Sequence, residues 1–272
     1  MVVLLTCSCR RKRRRAGVLL LLFAVLFSLL CWNVHGEDRY GDDYYVSEEE
    51  DEEEPYDDEE APEYDDMIVG DMWHYFDCSF IFSRPRPVHS ETDWKSMRHA
   101  YAAVVGLERS NRIAEKDGDG FAVPVQARSA GDEKGRGVFV TTAPVPKGQL
   151  VWSTSMTARF EMGSEYRAFL AKIRQDFACD VLQWAYVQSI SDQSAEVDKP
   201  LVSVDLDAGS FINTVTEEDE EPNLGCHEQA ALEHKGGCQQ NYFALKDIQV
   251  GEELLLDYGD FAIREGWEWF GL

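Results

Sequence analysis

Residues 209–225 read GSFINTVTEEDEEPNLG and residues 241–259 read NYFALKDIQVGEELLLDYG. Both are built from short apolar runs of β type, each closed within a few residues by glycine, proline, asparagine or acidic turn residues. The same grammar extends upstream through FAVPVQA at 121–127, VFVTT at 138–142, QLVWS at 149–153 and LVSVDLD at 201–207, with turns GDEKGRG and APVPKG between them. Two segments depart from it. Residues 92–113 (TDWKSMRHAYAAVVGLERSNRI) place Trp94, Met97, Tyr101, Val104, Val105 and Leu107 at helical spacing, which predicts a helix ended by Lys116-Asp117-Gly118-Asp119-Gly120. Residues 165–189 (EYRAFLAKIRQDFACDVLQWAYVQS) return to that spacing and predict one further helix. The body is therefore mostly β with helical insertions, an α+β class.

Four motifs occur in fixed order: Gly135-Arg136-Gly137-Val138-Phe139, then Gly209 to Asn213 with Pro222-Asn223, then Gly251-Glu252-Glu253-Leu254, then Asp257-Tyr258-Gly259. A lone Gly-x-Gly reads as a hairpin turn and a lone tyrosine as a packed aromatic. The ordered set resembles the SET-domain family of protein lysine methyltransferases, over about residues 121–260. That resemblance implies a SET-type β-clip fold with a knot-like crossing. It would be preceded by a helical preface at 67–120 and followed by an aromatic tail at 261–272, whose Trp267, Trp269 and Phe270 would close the channel wall.

The chemistry implied is transfer of the methyl group of S-adenosylmethionine to a lysine ε-amine of a protein. A sulfonium charge beside an apolar channel disfavours the ammonium form of the substrate, so alignment and exclusion of water carry the reaction. By resemblance, Gly135, Arg136 and Gly137 would cradle the methionine end of the cofactor, since glycines permit close backbone approach. Phe211, Asn213 and Thr214 would hold the cofactor further along. Tyr258 would contact the cofactor and act as the catalytic residue, orienting rather than deprotonating the amine because a phenol ordinarily titrates near pH ~10. Asn223 would brace the crossing, and Glu252 and Glu253 read as turn and surface residues. Thr214 stands where the family has a histidine, so backbone contacts to the cofactor persist and ring contacts do not. The alternative is a weak or inactive SET-fold module that binds a basic peptide or partner protein.

The formal charge of −25 divides unevenly along the chain. Residues 10–15 (RRKRRR) are followed by the apolar run AGVLLLLFAVLFSLLCW at 16–32, and residues 37–66 hold 18 acidic groups against one arginine. The basic-apolar leader predicts a signal peptide or signal anchor over 1–36, placing the remainder in the secretory pathway, lumenal, secreted or held by a single membrane pass. A nuclear or cytoplasmic location is the alternative. The acidic, aliphatic-poor stretch at 37–66 predicts a disordered spacer. An acidic body does not suit direct nucleic-acid binding, which needs clustered Lys and Arg. Five consecutive acids, Glu217, Glu218, Asp219, Glu220 and Glu221, lie beside the inferred site. Glu217, Glu218 and Trp267 are accordingly candidate contacts to a Lys/Arg-rich protein substrate.

Four cysteines lie in the body: Cys78, Cys179, Cys226 and Cys238. Cys226 and Cys238, across a glycine-containing loop, are the candidate disulfide. Their interleaving with His227 and His234 invites a zinc reading, but the spacing matches no common finger and no metal site is expected. The chain does not indicate an oligomeric state.

Overall fold

The computed structural model describes residues 63–131, 134–190, 199–215 and 221–272. It is a mixed α/β fold of mostly small strands and helices. The helices are α1 (Val69–Tyr75), α2 (Cys78–Phe82), α3 (Glu91–Val105), α4 (Gly163–Leu170), α5 (Gln175–Trp184), α6 (Glu228–Ala231) and α7 (Gly237–Gln240). The strands are β1 (Val125–Gly131), β2 (Gly135–Val140), β3 (Leu150–Ser153), β4 (Thr157–Phe160), β5 (Tyr186–Ile190), β6 (Lys199–Asp205), β7 (Asn213–Thr214), β8 (Leu224–Gly225), β9 (Asn241–Ala244) and β10 (Leu255–Leu256).

Helix α3 begins where Ser90 and Asp93 cap each other. The Asp93 N–H donates to Ser90 Oγ at 3.3 Å and the Ser90 N–H to Asp93 Oδ2 at 2.9 Å. Its Trp94, Met97, Tyr101, Ala102 and Val105 recur at three- and four-residue spacing and are all buried. The helix stops at Gly106, which takes a φ of +86°, so the expected helix over 92–113 is shorter than its apolar spacing suggests and Leu107 is exposed.

The single helix expected over 165–189 is a correction. The chain breaks after Leu170, restarts as α5 at Gln175, and leaves the helix at Ala185 to form β5. Residues 186–190 pair antiparallel with β6, from Tyr186↔Ser203 to Ile190↔Lys199. Ladder hydrogen bonds outweigh a local helical pattern, which cannot register partners 9 to 17 residues away.

Four small sheets assemble the body: the antiparallel hairpin β1–β2, the three-stranded β3–β9–β8 and β4–β6–β5, and the parallel pair β7–β10. The segment 253–256 lies against two others. It pairs with Asn213 and Thr214 on one side, and on the other Asn223 Oδ1 accepts from the Leu255 N–H at 2.9 Å while Asn223 Nδ2 donates to the Glu253 carbonyl at 2.6 Å. The strands expected over NYFALKDI and LLLDYG are thus real but trimmed to Asn241–Ala244 and Leu255–Leu256.

The preface packs into the same core as the β body, with Met72, Trp94 and Met97 alongside Val138, Phe160 and Phe177. Packing begins inside the stretch expected as a spacer. The Tyr64 hydroxyl donates to the Arg167 carbonyl at 2.7 Å and its ring tilts against Tyr75. Two disulfides are present. Cys78–Cys179 staples α2 to α5 across 101 residues, and Cys226–Cys238 closes the expected twelve-residue loop. His227 caps α6 and His234 tilts against Phe243, and among the described residues no cluster of His, Cys, Asp or Glu suits a metal ion. Alkylation of the folded chain without reductant is expected to leave these four cysteines unmodified, with two mass-spectrometric pairs opening on reduction. Labelling of any of the four before reduction would disprove the pairing.

Among the described residues no helix is long and apolar enough to cross a membrane. The leader expected over 1–36 and most of the spacer lie outside the described residues.

Candidate functional site

A cavity of about 450 Å³ opens where residues from distant parts of the chain converge: Lys134 and Arg136, Gly209 to Thr214, Leu256 and Tyr258, and the tail residues Phe261 to Arg264 and Trp267. Its size is that of a small-molecule site, typically about 300–1,000 Å³. Of the residues read from the sequence, Arg136, Phe211, Asn213, Thr214, Tyr258 and Trp267 line it. Gly135 and Gly137 belong to the strand that forms its rim. Glu217 and Glu218 lie outside the described residues.

The glycines are required by geometry. Gly135 has a φ of +72°, where L side chains are strained. A Cβ on Gly137 would sit 2.2 Å from Glu253 Oε1. That oxygen has a function, which corrects the reading of Glu253 as a surface residue. Asn213 Nδ2 donates both to Glu253 Oε1 at 2.7 Å and to the Arg136 carbonyl at 2.8 Å. The asparagine therefore clamps β2 against β7, with the absence of a side chain at position 137 making room for the carboxylate.

Arg136 aims its side chain away from the rim into a buried ion network. Its Nη1 and Nη2 donate to Asp180 Oδ2 and Oδ1 at 2.8 and 2.7 Å, and its guanidinium lies 4.3 Å over the Phe211 ring. Asp180, only 3 % exposed, also accepts from Arg86 Nη1 at 3.0 Å and has His89 Nε2 at 2.8 Å. Burial by itself would raise the Asp180 carboxyl, but the His89 and Arg136 contacts outweigh it and hold it below the usual carboxylate range. The Arg136 side chain is thus committed to Asp180, and its carbonyl accepts from Asn213. Arg86, from the stretch Arg84-Pro85-Arg86-Pro87, also lines the cavity together with Lys134.

Tyr258 is positioned by two bonds to the opposite strand. Its N–H donates to Thr214 Oγ1 at 3.3 Å, and its hydroxyl to the Ile212 carbonyl at 2.6 Å. The threonine therefore supplies a hydroxyl that seats the tyrosine backbone. Burial, then the charge of Asp205, pushes the Tyr258 phenol up to about 12, so it is a hydrogen-bond donor throughout the neutral range.

The inner end of the cavity was not legible in the sequence. Tyr186, Asp205 and Tyr242 line it, beside Trp152. Tyr186 falls in the segment that read as helix, and Asp205 in a strand buried on both faces, where alternation carries no inward or outward signal. The tail forms the outer wall: the Ile263 N–H donates to the Val187 carbonyl at 2.8 Å, and Phe261 stacks edge-on with Tyr186, Tyr242 and Tyr258.

The residues fit S-adenosylmethionine as a ligand. Arg86 and Lys134 offer cations for a carboxylate, Trp152, Trp184, Phe211 and Phe261 offer aromatic surface, and Tyr186, Asp205 and Tyr242 offer oxygens.

A family model described as the SET domain matches residues 135–259. No curated protein sequence matches the chain. Among solved structures, the chain is similar to Chaetomium thermophilum Polycomb Repressive Complex 2 bound to GSK126, at 20% identity over 64% of this chain and 20% of that one, with a TM-score of 0.33. It is also similar to ctPRC2 in an autoinhibited conformation bound to S-adenosylmethionine, at 18% identity over 63% of this chain and 19% of that one, with a TM-score of 0.32. The chain thus spans about one fifth of the length of these relatives.

Proposed function

From the premise that this chain belongs to the SET-domain family through residues 135–259, we propose that it is a protein-lysine methyltransferase that uses S-adenosylmethionine. The observation that carries the reading is the convergence of Arg136, Asn213, Thr214, Tyr258 and Trp267 on one cavity, from segments up to 131 residues apart in sequence. When bound, the cofactor supplies an electrophilic methyl group on a sulfonium. Arg86 and Lys134 would hold its carboxylate, and the backbone of 134–137 would hold its methionine end. Asn213 keeps that strand in register, and the aromatic tail excludes water, which strengthens electrostatic interactions inside the cavity. Tyr258, held by Ile212 and Thr214, directs the oxygen of a neutral phenol at the incoming amine.

The substrate in this reading is a Lys/Arg-rich segment of a protein, drawn by the acidic run 217–221. Only Glu221 of that run lies among the described residues, and it is exposed. The secretory location follows from the leader and is supported by the two disulfides, since such bonds persist chiefly in oxidising compartments.

Two measurements test the proposal. Calorimetry of the full-length chain should give a micromolar dissociation constant for S-adenosylmethionine, and radiolabelled methyl should pass to lysine in a Lys/Arg-rich peptide. Millimolar or absent cofactor binding would leave the non-enzymatic binding module as the better reading. Changing Glu217, Glu218, Asp219, Glu220 and Glu221 to amides should raise the peptide KM about tenfold at low ionic strength and flatten its salt dependence. An unchanged salt profile would remove that loop from substrate recognition.

A further inference from the structure

The inner end of the cavity holds an acid that the family motifs do not account for. Asp205 ends β6 with its carboxylate buried. Its Oδ1 accepts from Thr157 Oγ1 at 2.5 Å, and the Tyr186 hydroxyl reaches the same carboxylate. The Asp205 charge also acts on Tyr242 and Tyr258, so one carboxylate bonds one phenol and influences two more that line the same cavity. Its neighbour Asp207 is differently employed: it accepts from the Gly120 and Gly209 N–H groups, both at 2.7 Å, and holds a turn.

Arg159 on β4 is the one cation among the groups that act on Asp205, and its Nη2 donates to Thr154 Oγ1 at 2.9 Å. Asp205 has no cation in hydrogen-bond contact among the described residues, whereas Asp180 has two arginines and a histidine. A buried carboxylate so placed accommodates a small cationic hydrogen-bond donor arriving from the cavity. A primary ammonium, with three N–H groups, matches one carboxylate and the surrounding phenol oxygens.

We propose that Asp205 is the recognition and proton-accepting residue for the substrate's ε-ammonium, a role that rests on the methyltransferase reading and assigns it an amine-specific subsite. One N–H bond of the ammonium breaks heterolytically, its electron pair remaining on nitrogen as the nucleophilic lone pair. The proton joins a carboxylate oxygen of Asp205, giving the neutral acid, and later leaves to water. No other reactant enters this step. Burial raises the Asp205 carboxyl to about 6, against partial compensation by Thr157, Arg159 and Tyr186, so it is anionic at neutral pH and more basic than an exposed aspartate. Thr157 from β4 and Tyr186 from β5 bond it, and the charges that couple to it are those of Arg159 from β4, Asp207 beyond β6, Tyr242 from β9 and Tyr258 after β10. The three phenols are all displaced upward and remain neutral through this range.

The test uses n-butylamine and its neutral counterpart 1-pentanol as probes of the full-length chain. Binding is read from the fluorescence of the cavity tryptophans Trp152, Trp184 and Trp267. Butylamine affinity should rise at least tenfold between pH 5 and pH 8, centred near pH 6, while pentanol affinity stays flat. Asp205→Asn should abolish that rise and weaken butylamine binding at pH 8 at least tenfold, leaving pentanol unchanged. Tyr242→Phe, which keeps the charge, should retain the pH dependence and keeps the test intact if the Asn variant does not fold. A flat butylamine profile in the wild type, or an Asp205→Asn variant that binds butylamine like the wild type, overturns the assignment. Radiolabelled methyl transfer on the same samples separates the two ideas. Amine binding through Asp205 without transfer would sink methylation and leave the subsite standing, whereas transfer with an unaltered pH profile in Asp205→Asn would remove Asp205.

Discussion

Asp180→Ala is expected to lower the unfolding free energy by about 3–5 kcal/mol, the usual loss when one partner of a buried ion pair is removed. The carboxylate sits 2.7–2.8 Å from both Arg136 nitrogens, 3.0 Å from Arg86 and 2.8 Å from His89, and Arg136 is itself only 8 % exposed. Without it two guanidinium groups face each other across a buried gap lined by Trp184 and Phe211. Their mutual repulsion is already visible in Arg86, whose guanidinium is held below its ordinary pKa by burial and by the Arg136 charge. Urea denaturation at neutral pH measures the loss. Because the Asp180 pKa is depressed in the folded chain, its contribution is present above the ordinary carboxylate range and lost as pH falls through the lower folded value. The variant and the wild type should therefore converge only in strong acid. A change below about 1 kcal/mol, the range of exposed pairs, would mean that the network is solvated. Cofactor affinity should fall with stability, since the Arg136 backbone carries the bond to Asn213.

Tyr258→Phe is expected to reduce kcat about 10²-fold, the scale seen when one preorganised hydrogen-bonding group is removed from a reacting centre. Cofactor affinity should stay within about threefold, because the Tyr258 N–H bond to Thr214 is a backbone contact that phenylalanine preserves. The lost group is the hydroxyl, which in the wild type donates to the Ile212 carbonyl at 2.6 Å and is thereby fixed in direction. With its phenol pushed up to about 12 by burial and the Asp205 charge, Tyr258 contributes no ionisation to a rate profile between pH 6 and 10. Single-turnover methyl transfer and calorimetry separate the two effects. Equal turnover in the two proteins would exclude Tyr258 from the reacting centre, and parallel losses of turnover and cofactor binding would make it a packing residue.

The motifs were legible because they encode local backbone demands. Gly135 sits at a positive φ and Gly137 where a Cβ would meet Glu253, while Asn213 and Pro222-Asn223 tie neighbouring segments together, and it was the ordered set of these residue types, not any one of them, that was readable. The helix over Glu91–Val105 was readable from its apolar spacing, although its end at Gly106 was overrun because that spacing continues to Leu107. Glu253 was misread because exposure was inferred from a turn, when Asn213, 40 residues earlier, draws the carboxylate inward. Tyr186 was lost inside a helical pattern whose true partner, β6, is remote in sequence. Asp205 gave no signal because a strand buried on both faces has no alternation to break.

The order and spacing of the motifs and the mostly β class with helical insertions were determined by sequence, since they follow from turn chemistry and periodicity within a few residues, and the candidate rim residues came from the resemblance that the ordered motifs carry. The depth of the cavity, the ion network that locks Arg136 beneath its rim, and the carboxylate among three phenols at its inner end were decided by tertiary structure alone. They depend on contacts such as Asp180 with Arg136, 44 residues apart, and Cys78 with Cys179, 101 apart. Burial and charge at a site are properties of what packs around it, and local pattern does not carry them.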